Sequence, residues 1–480
     1  MSKQEKSHSK DFTSLNEWLC YLETIHNTEI DLGLSRISQV AQRLQIDFSF
    51  ARVITVAGTN GKGTTCAFLE NALLDESFAG KNQNVAVYSS PHIEQFNERL
   101  RINKCDIDDK SLIFAFEKIE QARAEISLSY YEFTTLAAFL VLMTIKPEII
   151  ILEVGLGGRL DATNLIDADV SVITSVDLDH QAFLGNDRES IGFEKAGIMR
   201  ANQHIIVGDP DVPASVVAHA HQINELATNP NQAICQQALS KIKLRNRDFY
   251  IAEPLENNEL TEHSWHWQYS EAKQNNTAID YCINDLIKTH IPQDNVATGL
   301  MVLKQLGVEL TAEKVNKLIE KTKVAGRTEL FNGPEIKDKL LPFSPLKPSI
   351  SSHSCDVMLD VGHNPHAGRY LAQKVSQFKV QHQYQRVFAV VGMLSDKDIQ
   401  NTLAPFNDII DDWFVAPLTV ARTATSEQIA TELTPYTNSI NCFDNITQAF
   451  KMAYQNANST DLVLVFGSFF TVAEIRQLLI

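Results

Sequence analysis

The chain has 480 residues, with 42 basic and 59 acidic side chains and a formal net charge of −17. That length predicts about two to four domains, the 44% hydrophobic and 21% charged composition is that of an ordinary globular protein, and the acidic balance disfavours nucleic acid and membrane surfaces, both polyanionic, as partners. Seven cysteines without CxxC pairing read as free thiols, and a polar N-terminus with no apolar run of ~18–20 residues anywhere leads to an expectation of cytoplasmic residence.

In chain order, strand-like runs are expected at 52–57, 84–88, 148–154, 170–175, 204–208, 356–361, 386–391, 413–416 and 461–466, with helical periodicity between them. Continuous apolar strands separated by helices predict a mostly parallel sheet covered on both faces. Between about 214 and 290 the text turns Gln- and Asn-rich, and 264–270 (SWHWQYS) alternates like an exposed antiparallel strand. Helical periodicity resumes at 295–306 and 311–322, and βα alternation restarts near Arg327. The expected division is therefore a large domain over 1–324 and a smaller one over 325–480. The stretch 332–354, with four prolines, reads as a surface excursion.

The strongest single feature is the run 52–57 followed by Gly58-Thr59-Asn60-Gly61-Lys62-Gly63-Thr64-Thr65 and an amphipathic helix from about 65 to 74. Glycines let backbone N–H groups face an anion closely, and the helix N-terminus adds its dipole. Lys62 can reach β/γ-phosphates, and the Thr64 hydroxyl is placed for a divalent cation. The spacing departs from GxxxxGK[ST], because Val56 stands where the first glycine would be and Gly63 separates lysine from threonine. The competing structural reading is a glycine-rich turn with a solvated lysine.

Further candidates also fall at carboxyl ends of strands, where ligands collect in open α/β sheets. Ser90 in SSPH reads alone as a loop residue. Glu153 ends a buried run, where a carboxylate is costly unless paired or metal-bound, and Gly155-Leu156-Gly157-Gly158-Arg159-Leu160-Asp161-Ala162 follows it. His180, in Asp177-Leu178-Asp179-His180, reads equally as a core histidine or as a ligand or base, since imidazole is an unusual partner for Mg²⁺. Lys195 on a helical stretch starting near Arg188 reads by itself as a surface lysine. Asp360 and His363 end a strand of the second domain and could face a nucleotide from across a cleft.

Taken together and in order, GTNGKGTT, YSSPH, LEVGLGGRLDATN, LDH, EKAGI and DVGHNPHA resemble the Mur ligase superfamily and, within it, the folylpolyglutamate synthase family, most closely its bifunctional bacterial branch. The resemblance runs from about Leu15 to the C-terminus and is weakest over 224–288. It implies a P-loop-type parallel-sheet ATPase domain, a smaller Rossmann-like α/β domain, and an active site in the cleft between them. It also implies that Asn60, Gly61, Lys62, Gly63 and Thr64 hold ATP, joined by Asn295, Arg327, Asp360 and His363. It further implies that Thr64, Ser90, Glu153 and His180 bind Mg²⁺, and that Lys195 is carbamylated and faces a second metal ion, with K⁺ as a further cation. Lys62, His180 and Lys195 are the implied catalytic set. The pterin side is implied at Ile30, Asp31, Leu32 and Gly33, at Tyr130, Tyr131, Glu132 and Phe133, and at Leu160, Asp161 and Ala162.

The implied activity joins L-glutamate to dihydropteroate and to tetrahydrofolate through an acyl phosphate, in a monomer with no nucleic-acid or membrane partner. A monofunctional folylpolyglutamate synthase, a cell-wall Mur ligase and a P-loop ATPase switch are the alternatives. Only 57 residues precede Gly58, which argues against a separate UDP-binding domain, and a switch has no use for the Glu153, His180 and Lys195 set. Since ATP, folate and glutamate are all anions, Mg²⁺, Lys62, Arg159 and Arg327 are expected to offset the repulsive net charge.

Overall fold

The structure is a computed structural model that describes residues 12–28, 30–228, 241–252, 264–272, 278–336, 338–340, 354–437 and 439–480. Most of the expected excursion at 332–354 lies outside the described residues, as does part of the Gln- and Asn-rich stretch. The chain forms two compact units, Met1–Ser90 with Asn97–Thr322, and Pro91–Phe96 with Lys323–Ile480. A short excursion thus groups with the second unit although it interrupts the first in sequence. Ile93 packs against the second unit's core, and Glu94 pairs with Arg476, which also binds Glu329 at 3.0 Å.

The first unit is built on β1 (Arg52–Ala57), β2 (Val85–Tyr88), β3 (Leu100–Ile102), β4 (Cys105–Asp106), β5 (Ile149–Glu153), β6 (Val170–Ile173), β7 (His204–Val207) and β8 (Ile242–Leu244), in the order β4-β3-β2-β5-β1-β6-β7-β8. Pairing is parallel from β2 through β8, and β3 and β4 add an antiparallel edge. β1 lies between β5 and β6, with Val56 opposite Glu153 and Ala57 opposite Ile173. The loops after these strands therefore emerge on one edge. The β-branched runs that predicted the strands are buried on both faces, as a sheet covered by helices requires.

β9 (Phe249–Ala252), β10 (Ser264–Ala272) and β11 (Ala278–Ile287) form a separate antiparallel sheet, with β10 in the middle. The expected strand at 264–270 is present, but it is not an exposed one. Trp265, Trp267 and Tyr269 share one face and are buried, and Trp267 donates its indole N–H to Ala297 O on the Gln293–Gln305 helix at 3.2 Å. Alternation correctly identified a strand with two unlike faces. The apolar face has a helix to cover, and the three aromatic rings seal that contact into the core of the first unit.

The second unit carries β12 (Glu329–Phe331), β13 (Asp356–Asp360), β14 (Val387–Val391), β15 (Asp412–Val415), β16 (Ile440–Cys442) and β17 (Leu462–Phe466), in the order β12-β13-β17-β14-β15-β16, parallel except for β12. Its core splits into two apolar layers, one on each side of the sheet. Among the described residues no helix is long and apolar enough to cross a membrane. Replacing Trp267→Ala should cost about 3–5 kcal/mol through the cavity it leaves, measured as a lower urea midpoint of unfolding.

Candidate active site

The loop after β1 is fixed from two sides. Ser175 Oγ accepts from Asn60 N at 3.0 Å and Thr174 Oγ1 donates to Asn60 O at 2.6 Å, so the end of β6 holds the middle of the loop. Thr59 Oγ1 donates to Asp177 O and accepts from Asp177 N, both at 3.0 Å. Gly61 sits at φ +85°, and a Cβ there would lie 2.3 Å from the Asn295 amide oxygen. Only glycine fits both the left-handed backbone and the close approach of Asn295. Lys62 opens the helix Lys62–Leu74 and folds back, donating from Nζ to Gly58 O at 2.9 Å. The loop is thus held in a cradle with the first amides of the helix, the arrangement that receives an anion.

Glu153, at the end of β5, is 7% exposed. Its carboxylate stands 3.7 Å from where a Cβ of Gly63 would be, against the first turn that also carries the buried Thr64. Beyond it the 155–162 loop is organised by Asp161, 2% exposed, which accepts from Leu156 N at 2.9 Å, Thr163 N at 3.0 Å and Thr163 Oγ1 at 2.7 Å. Burial raises the Asp161 pKa, and these donors offset part of the rise. Tyr131 connects the pieces. Its hydroxyl donates to Asp161 at 3.3 Å and accepts from Gly155 N at 3.1 Å.

The same loop positions Lys195. Arg159 makes a forked pair with Glu194, Nη2 at 2.8 Å and Nε at 3.1 Å, and Arg159 N donates to Glu194 O at 2.7 Å. A Cβ on Gly197 would lie 2.2 Å from that of Arg159, so loop and helix Arg188–Ala196 meet backbone to backbone. Lys195 is consequently 3% exposed and not a surface lysine. Burial and the neighbouring Lys62 charge bring its pKa down to about 7, against the opposing pull of Asp179 and Asp161. His180 caps the short helix Gln181–Leu184 at φ +49°, with its N–H on Asp179 Oδ1 at 2.8 Å and its Nε2 3.9 Å from Asp179 Oδ2.

The structure therefore gathers Asn60, Gly61, Lys62, Gly63, Thr64, Glu153, Asp161, Lys195 and Asn295 about one strand edge. Sequence reasoning missed Thr174, Ser175 and Asp179, whose only signal was their place just past a strand. Among the described residues no three His, Cys, Asp or Glu side chains cluster closely enough to hold a metal ion. Of the expected metal ligands only Glu153 and His180 are of those types.

Two of the residues expected on the substrate side are placed otherwise. Phe133 is fully buried against Phe116, with ring centres 5.7 Å apart. Glu132 is the third residue of a capping box, accepting from Ser129 N at 2.7 Å and pairing with Arg36 at 3.2 Å. The motif SYYEF thus serves in part to start a helix. Arg36 also holds Asp31 at 2.8 Å, and His26 bonds Asp31 at 3.1 Å, while Ile30, Leu32 and Gly33 stay half-buried. Tyr130 lies under Arg99, its pKa raised to about 12 by burial, Leu160 is half-buried and Ala162 buried.

In the second unit Asp360, at the end of β13, accepts from Thr328 N at 2.8 Å and Gly362 N at 2.7 Å. Burial raises its pKa, with the Arg327 charge opposing. The guanidinium of Arg327 stacks 5.6 Å from Phe469, whose ring centre is 6.0 Å from that of His363. Arg327, Asp360 and His363 are thus neighbours around Phe469.

Residues 56–224 match the Mur ligase middle domain, and residues 349–469 match the Mur ligase glutamate ligase domain. The dihydrofolate synthase/folylpolyglutamate synthase of Escherichia coli is 38% identical over 97% of this chain and 95% of its own length. The solved structure of E. coli FolC in complex with DHPP and ADP superposes with a TM-score of 0.78 at 38% identity, covering 97% of both chains. A bifunctional folylpolyglutamate synthase/dihydrofolate synthase with Mn, AMPPNP and L-glutamate bound gives a TM-score of 0.78 at 37% identity, over 97% of this chain and 98% of that one. The chain belongs to the dihydrofolate synthase/folylpolyglutamate synthase family of Mur ligases, which are ATP-dependent enzymes.

Proposed function

We propose that this ligase, which joins L-glutamate to dihydropteroate and to tetrahydrofolates with cleavage of ATP, works through an acyl phosphate formed over the 58–64 loop. A carboxylate is a poor electrophile and needs activation before an amine can attack it. In the first step an oxygen of the acceptor carboxylate bonds to the γ-phosphorus and the bond to ADP breaks. In the second the glutamate amine bonds to the acyl carbon and phosphate leaves, with loss of the ammonium proton. The observation that carries this reading is the loop clamped by Thr174 and Ser175 at the start of the Lys62–Leu74 helix, on the strand edge that also holds Glu153 and Lys195.

In this reading Asn60, Gly61, Lys62, Gly63 and Asn295 orient the triphosphate, and Lys62 stabilises charge gathering on the transferred group. Arg327, Asp360 and His363 take the remainder of the nucleotide. Ile30, Asp31, Leu32, Gly33, Tyr130, Leu160 and Ala162 receive the pterin end, with Asp161 and Tyr131 shaping the wall behind it.

The hard oxygen donors Thr64, Ser90 and Glu153 fit Mg²⁺, and His180 and Lys195 fit a second ion once Lys195 is carbamylated. Bound divalent ions would supply charge neutralisation for phosphoryl transfer. An amine with a pKa of about 7 is substantially neutral at physiological pH, which is the form that adds CO₂ and releases a proton. The carbamate would join Asp161 and Asp179 as a third anion beside Lys62, an arrangement that calls for further positive charge. Nothing among the described residues singles out a site for the expected K⁺, and the scheme uses none. Action as a monomer in the cytoplasm belongs to the same proposal, and the six described cysteines are free thiols.

Two measurements test it. Lys62→Ala should abolish ADP release dependent on glutamate with either dihydropteroate or tetrahydrofolate, and turnover within tenfold of wild type would rule out its assigned role. With isotope-labelled bicarbonate, a carbamate carbon resonance absent from Lys195→Ala should grow as pH rises through about 7, where the folded amine loses its proton. A wild-type protein without that resonance up to pH 9 would remove the carbamate from the scheme.

A further inference from the structure

Between β2 and β3 the chain makes the excursion that carries Ser90 and continues as Pro91–Phe96. Its neck is closed by Ser89 N donating to Arg99 O at 2.8 Å. Arg101, on β3, straddles that neck. Its Nη1 donates to Ser89 Oγ on the outgoing side at 3.3 Å and approaches Glu98 O on the returning side at 3.4 Å. Its Nη2 donates to Glu70 Oε2 at 3.1 Å. Glu70 lies on the phosphate-loop helix eight residues after Lys62, about 12 Å along the axis. Gly63, Cys66 and Glu70 follow one another at the spacing of a single helix face, which runs from the Glu153 carboxylate to the Arg101 guanidinium.

The pair is deeply placed. The Glu70 side chain is 5% exposed and that of Arg101 is 24% exposed, and Glu70 Oε1 is buried with no hydrogen-bond partner. A buried ion pair is weak evidence for stability, because apolar side chains of similar volume often serve as well or better. What the fork of Arg101 offers that an apolar pair cannot is a simultaneous hold on the helix and on both sides of the neck.

We propose that Arg101, tethered by Glu70, is a positioning residue that clasps the neck of the excursion and fixes Ser90 relative to the phosphate-binding helix. The clasp rests on the assignment of Ser90 as a metal ligand. A partner that orients a ligand commonly changes metal affinity by roughly tenfold to a hundredfold when removed. The clasp acts before any chemistry and belongs to metal binding.

The test is Mn²⁺ affinity, measured by electron paramagnetic resonance with a non-hydrolysable ATP analogue present. The double variant Glu70→Met/Arg101→Met should keep the wild-type Tm and bind metal-free nucleotide within twofold of wild type, while Mn²⁺ affinity falls about tenfold. Arg101→Lys retains the charge opposite Glu70 without the fork, and should also lose Mn²⁺ affinity at unchanged Tm. Wild-type Mn²⁺ affinity in either folded variant, with affinity lost in Ser90→Ala, overturns the clasp alone. Wild-type affinity in Ser90→Ala as well overturns the metal assignment on which the clasp rests.

Discussion

The constraint on which the rest of the first unit depends is the burial of charge at the carboxyl edge of one sheet. Glu153, Asp161 and Lys195 are each less than a tenth exposed, and Lys62 lies close enough to depress the Lys195 pKa. Charges removed from water are costly unless every one is matched by fixed dipoles or an opposite charge. For Asp161 and Lys62 the fold offsets that cost with backbone and hydroxyl groups, whereas burial of Lys195 lowers its pKa to about 7. Asp161 takes two main-chain N–H groups and two hydroxyls, while Lys62 donates to the carbonyl of Gly58. Dipoles held this way need no reorganisation when charge moves, which is the condition for stabilising a transferring phosphoryl group.

From this follows the placement of the glycines and small hydroxyls. Backbone can serve as the matching dipole only where it approaches closely, so Gly61 admits Asn295 and Gly197 admits Arg159 at distances that a side chain would block. Thr174 and Ser175 then act as clamps for Asn60 from the neighbouring strand. Parallel register makes this possible, because Val56 and Ala57 lie level with Glu153 and Ile173 and the three loops leave the sheet together.

Much of this was legible in the sequence because it is written locally. A β-branched run, a glycine turn and a helix occupy consecutive residues, so loop 58–64 and its strand needed no tertiary information. The strand ends carrying Ser90, Glu153 and Asp360 were legible for the same reason. What could not be read were effects that depend on which elements meet. Lys195 looks like a surface residue from its own helix, and it becomes buried only because the 155–162 loop lies across that helix. SWHWQYS looks exposed until the helix Gln293–Gln305 covers its aromatic face. Glu132 and Phe133 matched a binding motif by type, yet a capping box and an aromatic contact claim them first.

The net charge of −17 acquires a different meaning once the arginines are placed. Arg159 was expected to help attract anionic substrates, but its fork is occupied by Glu194. Arg36 is shared by Asp31 and Glu132, Arg101 is held by Glu70, and Arg188 pairs with Asp209 and Asp211. These arginines hold loops and helix ends in place, and their positive charge is largely matched before any substrate arrives. The positive field at the phosphate loop then comes from Lys62 and the amides at the start of a helix, since burial and the Lys62 charge leave the Lys195 amine, with a pKa of about 7, substantially neutral. Converting the Lys195 amine to a carbamate would add a negative charge beside them. In that form the loop's affinity for a triphosphate depends on divalent cations more steeply than a lysine-rich phosphate site would, so nucleotide and metal are expected to bind as a unit.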